Sequence, residues 1–153
     1  ANRVREFIDR GAAEGAKLLL DGRGASVKAY PRGHWVGPTV FDEVRPDMSI
    51  GREEIFGPVV GFTQARSLDD ALAMIHTNRY GNATSVFTSS GRTAREFRYR
   101  AGISMIGVNI GVAAPMAFFP FGGSRGSFYG DLKAQGHDAI EFYTDKRVVI
   151  SRW

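Results

Sequence analysis

Strand and helix patterns alternate through the second half of the chain, and this alternation restricts the fold more than any other feature. An apolar run at "PVVGFTQA" precedes a predicted helix that begins at Ser67. Four residues form one apolar stripe along this helix: Leu68, Ala71, Leu72 and Ile75. The next three segments predict a strand, a helix and a strand: "ATSVFTSS", "RTAREFRYRA" and "ISMIGVNI". Short connections between such elements favour parallel strands joined by right-handed crossovers. The sequence therefore predicts an α/β fold with a parallel βαβαβ sheet, and places Asn109 at the carboxyl end of its last strand.

The segments ahead of this unit carry local patterns of their own. Apolar residues at helical spacing predict an amphipathic helix over residues 2–14. "AKLLLDGRGASV" predicts a short strand and a tight turn, in which Gly22 and Gly24 are expected to adopt positive φ. "GHWVGPTVFDEV" is expected to be extended.

Residues 111–130 interrupt the alternation with five Gly, two Pro and four Phe. This composition predicts an ordered irregular loop that lines a pocket or an interface. After it, "HDAIEFYT" predicts one or two helical turns, and "KRVVISRW" predicts a terminal strand. Such a strand needs a pairing partner, either in its own sheet or in another chain.

Composition restricts the classes of protein and site. With 43% hydrophobic and 24% charged residues, the 153-residue chain fits one globular domain or a large piece of one. The absence of cysteine excludes disulfides, thiolate metal sites and a cysteine nucleophile within these residues. The first residues lack the apolar core of a secretory signal, and the longest apolar stretch, residues 112–121, is too short to cross a bilayer. We therefore expect a cytoplasmic protein without membrane contact.

The formal net charge of +4 raises nucleic-acid binding as an alternative. Arg92, Arg95 and Arg98 share one helical face, but arginines at this spacing are typical of a solvated helix face. We therefore expect no nucleic-acid partner.

Three common kinds of site lack their sequence patterns. His34, His76 and His137 are far apart and none has a second histidine at ligand spacing, so no metal site is expected. No phosphate-binding Gly-Lys-Ser/Thr pattern occurs. Residues 122–126 match the G-x-S-x-G pattern of serine hydrolases and Asp131 follows, but the required strand and helix do not flank them. These residues are interpreted as a glycine-rich turn.

Two adjacent acids, Glu53 and Glu54, lead directly into an Ile-Phe pair and a Gly-Pro break. One interpretation is a surface pair ahead of a strand, with Phe56 in the core. The other is that one carboxylate accepts hydrogen bonds from ligand hydroxyls while Phe56 offers a flat wall to a ring. Gly57 would then permit close backbone approach, and Pro58 would fix the entry into the strand. Residue chemistry alone leaves both interpretations open.

These residues also carry a family resemblance. "EEIFGPVV" resembles a signature of the aldehyde dehydrogenase superfamily, and other motifs agree in order: "GPTVFDEV", "NRYGNATSVFTSSG", "GVNIGV" and "EFYTDKRVVISRW". "DGRG" with "FPFGGSRGSFYGD" is most similar to the CoA-acylating, methylmalonate-semialdehyde dehydrogenase branch. The resemblance extends from about residue 2 to residue 153. "NATS" and "NIGVAAP" depart from the usual pattern.

The resemblance implies roles for particular residues. Glu54 corresponds to the acid that hydrogen-bonds the nicotinamide ribose of NAD, and Phe56 to the aromatic residue against the nicotinamide. Phe121 corresponds to the aromatic residue beside the catalytic tunnel, which implies a place in the substrate pocket. The strand around residues 148–152 would join the sheet of a neighbouring subunit, so a homo-oligomer is expected.

The resemblance further implies an activity and parts that this chain lacks. In the family a cysteine thiolate attacks the aldehyde, a hydride passes to NAD, and in this branch the acyl group passes to coenzyme A. The aldehyde expected is methylmalonate or malonate semialdehyde. The cysteine and the NAD-binding Rossmann half are expected upstream of residue 1, so the chain is expected to be a C-terminal fragment without catalysis of its own. Residues 1–130 would be the C-terminal part of the catalytic domain, and residues 131–153 a tail with the oligomerisation strand. The alternative is a free-standing oligomerisation or interaction module.

Overall fold

The computed structural model describes residues 1–153 as five helices and seven short strands. The helices are α1 (Asn2–Ala13), α2 (Ser49–Arg52), α3 (Leu68–Thr77), α4 (Gly91–Arg100) and α5 (Gly136–Phe142). The strands are β1 (Lys17–Leu20), β2 (Thr39–Asp42), β3 (Val59–Gly61), β4 (Tyr80–Gly81), β5 (Ala83–Val86), β6 (Met105–Val108) and β7 (Ser124–Arg125). They form two compact units, Ala1–Asp70 and Ala71–Trp153, each described separately. No helix combines the length and apolar character needed to cross a membrane.

The first unit is built on a three-stranded sheet in the order β1-β2-β3. β1 pairs antiparallel with β2, and β3 pairs parallel with β2. The predicted N-terminal helix is confirmed as α1, whose buried face includes Val4, Phe7 and Ile8. This face contributes to a core that also contains Ala16, Phe41, Val44 and Met48. Burial of this apolar stripe stabilises α1, which is why the apolar spacing predicted the helix.

The second unit contains the predicted strand, helix and strand in sequence. β5 and β6 are parallel neighbours, and α4 connects them. The Ser90 hydroxyl caps α4 by accepting the Thr93 amide at 3.2 Å, and Phe97 buries the inner face. The structure differs from the prediction in one respect, since β3 pairs with β2 and not with β5. The residue pattern predicted β3 as a strand but did not indicate which strand pairs with it in the sheet.

The loops of the second unit follow the expected irregular course, with a short strand added. Within residues 111–130 only Ser124–Arg125 forms a strand, which pairs antiparallel with Tyr80–Gly81. The Ser124 hydroxyl donates to the Gly81 carbonyl at 2.8 Å, so the serine of the G-x-S-x-G pattern has a structural hydrogen bond. Asn109, at the end of β6, accepts from the Thr88 amide at 2.8 Å and donates to the Thr88 carbonyl at 3.1 Å.

The C-terminal predictions have mixed outcomes. The helical turns after residue 136 are confirmed as α5. Residues 145–153 have no regular secondary structure and do not pair with any sheet of this chain. Strand pairing by this tail with another chain stays a prediction.

The prediction of positive φ at Gly22 and Gly24 is wrong, because the glycines with positive φ are Gly15, Gly102, Gly130 and Gly136. Gly22 is needed for a different reason. A Cβ at Gly22 would lie 2.0 Å from the carbonyl oxygen of Gly37. The Gly22 carbonyl also accepts the Gly37 amide at 2.8 Å, so the two backbone segments are in direct contact. Close approach and not a left-handed turn requires glycine there.

We predict that Gly22→Ala lowers the free energy of unfolding by about 1–3 kcal/mol, because the added methyl group meets backbone that cannot move aside. Gly24→Ala is the matched control: a Cβ there meets nothing within 4 Å. This control should leave stability unchanged or raise it by up to about 1 kcal/mol. Urea unfolding of both variants is the measurement, and equal stability of the two would contradict the packing account.

Candidate functional site

The two acids that stood out in the sequence lie in a short loop between α2 and β3. The Glu53 amide donates to the Ser49 carbonyl at 3.0 Å, which closes the last turn of α2. At the other end of the loop, the Pro58 carbonyl accepts the Thr39 amide at 2.8 Å. Both ends of the loop are therefore fixed by backbone hydrogen bonds, and Pro58 leads into β3 as expected.

Phe56 has the most unusual conformation in this loop. Its φ is +55°, and its side chain is 87% exposed. A bulky residue in the left-handed region is uncommon and costs on the order of 1–3 kcal/mol. Exposure means that core packing does not offset this cost within the chain. The interpretation of Phe56 as a core residue is therefore wrong.

Arg3 of α1 holds the loop from the other side. Its Nη1 donates to the Ile55 carbonyl at 2.6 Å and its Nη2 donates to the Glu54 carbonyl at 2.8 Å. The same guanidinium lies over the ring of Phe7, 4.7 Å from the ring centroid. Phe7 is only 1% exposed, so its ring is held by the core and limits the movement of the Arg3 guanidinium through a cation–π contact. This double hydrogen bond fixes the backbone immediately before Phe56.

Gly57 brings the loop against α1. A Cβ at this position would lie 2.7 Å from Cγ2 of Val4, so glycine permits close packing of loop on helix. The backbone at Gly57 thus permits a close approach as predicted, but the group that approaches it is Val4 of α1 and not a ligand. Ile55, the half-buried neighbour of Phe56, packs against the core of this unit. Ile55 consequently faces the core, while Glu54 and Phe56 on either side of it are exposed.

A concavity of about 280 Å³ lies beside the loop, and its wall includes Glu53, Glu54, Phe56 and Gly57. It is smaller than a typical pocket for a whole ligand, so it can receive one part of a ligand. The Glu54 side chain is exposed, and its carboxylate makes no hydrogen bond or ion pair within the chain. A carboxylate with unoccupied acceptor oxygens beside an exposed aromatic ring can bind a hydroxylated group attached to a flat ring.

Phe121, the third residue singled out, belongs to the second unit. It forms an isolated antiparallel bridge with Ala134, in which each amide donates to the other carbonyl, at 2.6 and 3.0 Å. Its side chain is 39% exposed, and it follows an exposed pair of rings in tilted contact, Phe118 and Phe119. The first unit therefore brings together Glu54 and Phe56, while Phe121 has its own, separately fixed position.

Sequence reasoning missed Arg3. Its acceptors are backbone carbonyls 51 and 52 residues away, and any residue type can supply a carbonyl, so no motif marks the contact. The left-handed conformation of Phe56 was missed as well. Neither property has a signal in a single sequence.

Charged groups elsewhere in the first unit have a structural arrangement. Arg23 makes ion pairs with Asp9 and Asp21, which connect α1 to the turn after β1. Hydrogen bonds from Arg23 lower the pKa of Asp21 to about 2, and hydrogen bonds to Asp21 and Asp9 raise the pKa of Arg23. These side chains are solvated, so the network contributes little to stability. No group of three or more potential metal ligands occurs in the chain.

Comparison with known proteins relates this geometry to a family. The sequence model described as "Aldehyde dehydrogenase family" matches residues 1–149. Malonate-semialdehyde dehydrogenase 1 of Geobacillus kaustophilus is 47% identical over 151 residues, which are 99% of this chain and 31% of that protein. The chain thus spans about a third of the curated relatives it matches.

Solved structures give the same relationship. A Sinorhizobium meliloti protein assigned as a methylmalonate-semialdehyde dehydrogenase, in complex with NAD, superposes with a TM-score of 0.97 at 42% identity. The methylmalonate-semialdehyde dehydrogenase of Oceanimonas doudoroffii superposes with a TM-score of 0.96 at 39% identity. Each alignment covers 99% of this chain and 31% of the other chain.

Proposed function

Because the chain belongs to the aldehyde dehydrogenase family, we propose that it is the C-terminal part of an NAD-dependent, CoA-acylating methylmalonate-semialdehyde dehydrogenase. Such an enzyme oxidises methylmalonate or malonate semialdehyde to an acyl-CoA through a cysteine thioester. The relatives whose names carry these semialdehydes support the choice of substrate. The observation that carries the proposal is the exposed, left-handed Phe56 beside the unpaired carboxylate of Glu54.

The residues of the loop fit one part of NAD. The Glu54 carboxylate would accept hydrogen bonds from the two hydroxyls of the nicotinamide ribose, as an acid does with a ribose diol. The exposed Phe56 ring would pack against the nicotinamide. NAD, when bound, supplies the acceptor for a hydride. The small volume beside the loop suits the ribose and nicotinamide, and the remaining parts of the cofactor would be held by residues outside this chain.

The backbone that carries these two side chains is held in place within the chain. Arg3 holds the backbone of Glu54 and Ile55, and Gly57 packs on α1, so the backbone on both sides of Phe56 is fixed before a ligand arrives. Preorganisation of this kind reduces the entropy lost on binding. Phe121 is proposed to line the aldehyde pocket, from the second unit.

The chemical step needs a group that this chain lacks. It contains no cysteine, so it cannot supply the thiolate that attacks the aldehyde and later carries the acyl group to coenzyme A. We therefore propose that this chain alone is inactive and that residues 1–130 complete a catalytic domain. Residues 131–153 are proposed as its tail. A cytoplasmic location stays a prediction of the sequence.

We predict that this chain alone produces no NADH from methylmalonate semialdehyde, coenzyme A and NAD. Activity should appear when the chain is preceded by the N-terminal portion of the Geobacillus kaustophilus relative, hereafter the chimera. In the chimera, Glu54→Ala should raise KM for NAD about tenfold, because hydrogen bonds to a charged acceptor are lost. Glu6→Ala, another exposed acid without a partner, is the control.

The measurement is the rate of NADH absorbance increase with and without coenzyme A. Turnover by the isolated chain would contradict its inactivity, and a folded chimera without activity would contradict the assignment. Equal KM values for Glu54→Ala and Glu6→Ala would remove Glu54 from the cofactor site.

The C-terminal tail favours a second proposal, oligomerisation through residues 148–152, which would also serve a free-standing interaction module. Val148, Val149 and Ile150 are 85%, 76% and 93% exposed, and no strand of this chain pairs with them. Consecutive β-branched residues have high strand propensity, and an unpaired strand can add to a sheet of another copy. This segment is therefore proposed as the contact that assembles a homo-oligomer.

We predict that light scattering on purified chain gives the mass of a dimer or larger species, and that Val149→Asp shifts it toward monomer because a charge enters the contact. Val112→Asp is the matched control, since Val112 is 79% exposed and lies outside the tail. A monomeric chain, or equal effects of the two substitutions, would contradict this proposal.

A further inference from the structure

A second concave surface lies in the loop between β1 and β2. It is an open depression of about 520 Å³ lined by six residues: Ala29, Tyr30, Pro31, Arg32, Gly33 and Trp35. Tyr30 is 66% exposed and Trp35 is half-buried, so aromatic surface faces the concavity. Apart from Arg32, the lining residues carry no charge.

The aromatic wall is held in place by hydrogen bonds within the loop. The Tyr30 carbonyl accepts both the Gly33 amide, at 3.0 Å, and Nε1 of Trp35, at 2.9 Å. A Cβ on Gly33 would lie 2.3 Å from that Nε1, so the indole rests directly on the glycine. The Trp35 carbonyl in turn accepts Nη2 of Arg5 at 2.6 Å, which fixes this part of the loop to α1. The indole is therefore positioned before any ligand binds.

The segment that carries this wall contains basic residues and no acid. No acid occurs between Asp21 and Asp42, whereas Lys28 and Arg32 lie in this segment. Both side chains are exposed and make no hydrogen bond or ion pair within the chain. The other arginine of the segment, Arg23, is already paired with acids. The unpaired Arg32 in the wall, with Lys28 nearby in sequence, favours a ligand that combines negative charge with a flat ring.

We propose that residues 28–35 bind a nucleoside phosphate. The base would stack on one ring of the wall, since the Tyr30 and Trp35 rings are tilted by 47° and cannot enclose it as parallel plates. The phosphate would contact Arg32, with Lys28 adding long-range attraction. Any base can stack on an aromatic side chain, and an arginine can pair with a phosphate, so neither contact requires a glycine-rich loop. This site uses no residue of the Glu54 loop, and only the choice between coenzyme A and NAD as the source of the nucleotide rests on the proposed function.

The test is the fluorescence of Trp35 in the whole chain. The chain has two tryptophans, so Trp153→Phe leaves Trp35 as the sole indole. Adenosine monophosphate should quench its fluorescence saturably and adenosine much more weakly, with quenching reduced by added salt. Arg32→Ala should raise the Kd for adenosine monophosphate about fivefold or more, whereas Arg92→Ala, which removes an exposed arginine of α4, should not. Arg32 is exposed, so its replacement leaves the fold intact.

Competition identifies the natural source of the nucleotide. Coenzyme A and NAD both contain adenosine phosphate, and the one that displaces adenosine monophosphate at the lower concentration is the ligand assigned to this surface. Absence of quenching would overturn the proposal. Equal quenching by adenosine and adenosine monophosphate, unaffected by Arg32→Ala, would overturn the phosphate contact. Tighter binding to single-stranded oligoadenylate than to the mononucleotide would overturn assignment to a free nucleotide.

Discussion

The two hydrogen bonds from Arg3 to the carbonyls of Glu54 and Ile55 are the contact on which the candidate site depends. They connect the first turn of α1 to a loop more than fifty residues later, and the guanidinium that makes them is seated on the buried Phe7 ring. Hydrogen bonds to a charged donor are stronger than neutral ones, and here they act on the backbone just ahead of Phe56. The backbone position of Glu54 and Phe56 thus follows from the packing of α1.

The positive φ of the exposed Phe56 costs free energy that packing within the chain does not offset. An exposed Phe at positive φ destabilises the chain and gains no burial in return. Asparagine or glycine would adopt the same conformation with less strain. Retaining phenylalanine there is consistent with a ring that is needed for a ligand, at the expense of stability. The neighbouring Gly57 and Ile55 differ from Phe56, because both contribute to packing within the first unit.

Local sequence patterns predicted most of the elements but few of their partners. α1, α4 and α5 were predicted because their helical patterns are properties of neighbouring residues. The pairing of β3 with β2 depends on contacts across the sheet, and a strand pattern does not name its neighbour. Gly22 was recognised as special but for the wrong reason, since its contact with Gly37 is a long-range one. In the same way, Glu54 and Phe56 could be selected from sequence, whereas Arg3 could not.

The most direct test of this account is Phe56→Asn, made in the isolated chain and in the chimera. Asparagine tolerates positive φ, so the chain should gain about 0.5–1.5 kcal/mol in free energy of unfolding. Loss of the ring should lower NADH production by the chimera about tenfold at limiting NAD. Phe87→Asn, at a 68% exposed phenylalanine without positive φ, should do neither. A less stable Phe56→Asn chain, or a chimera with unchanged activity, would contradict the account of Phe56 as a strained residue kept for cofactor binding.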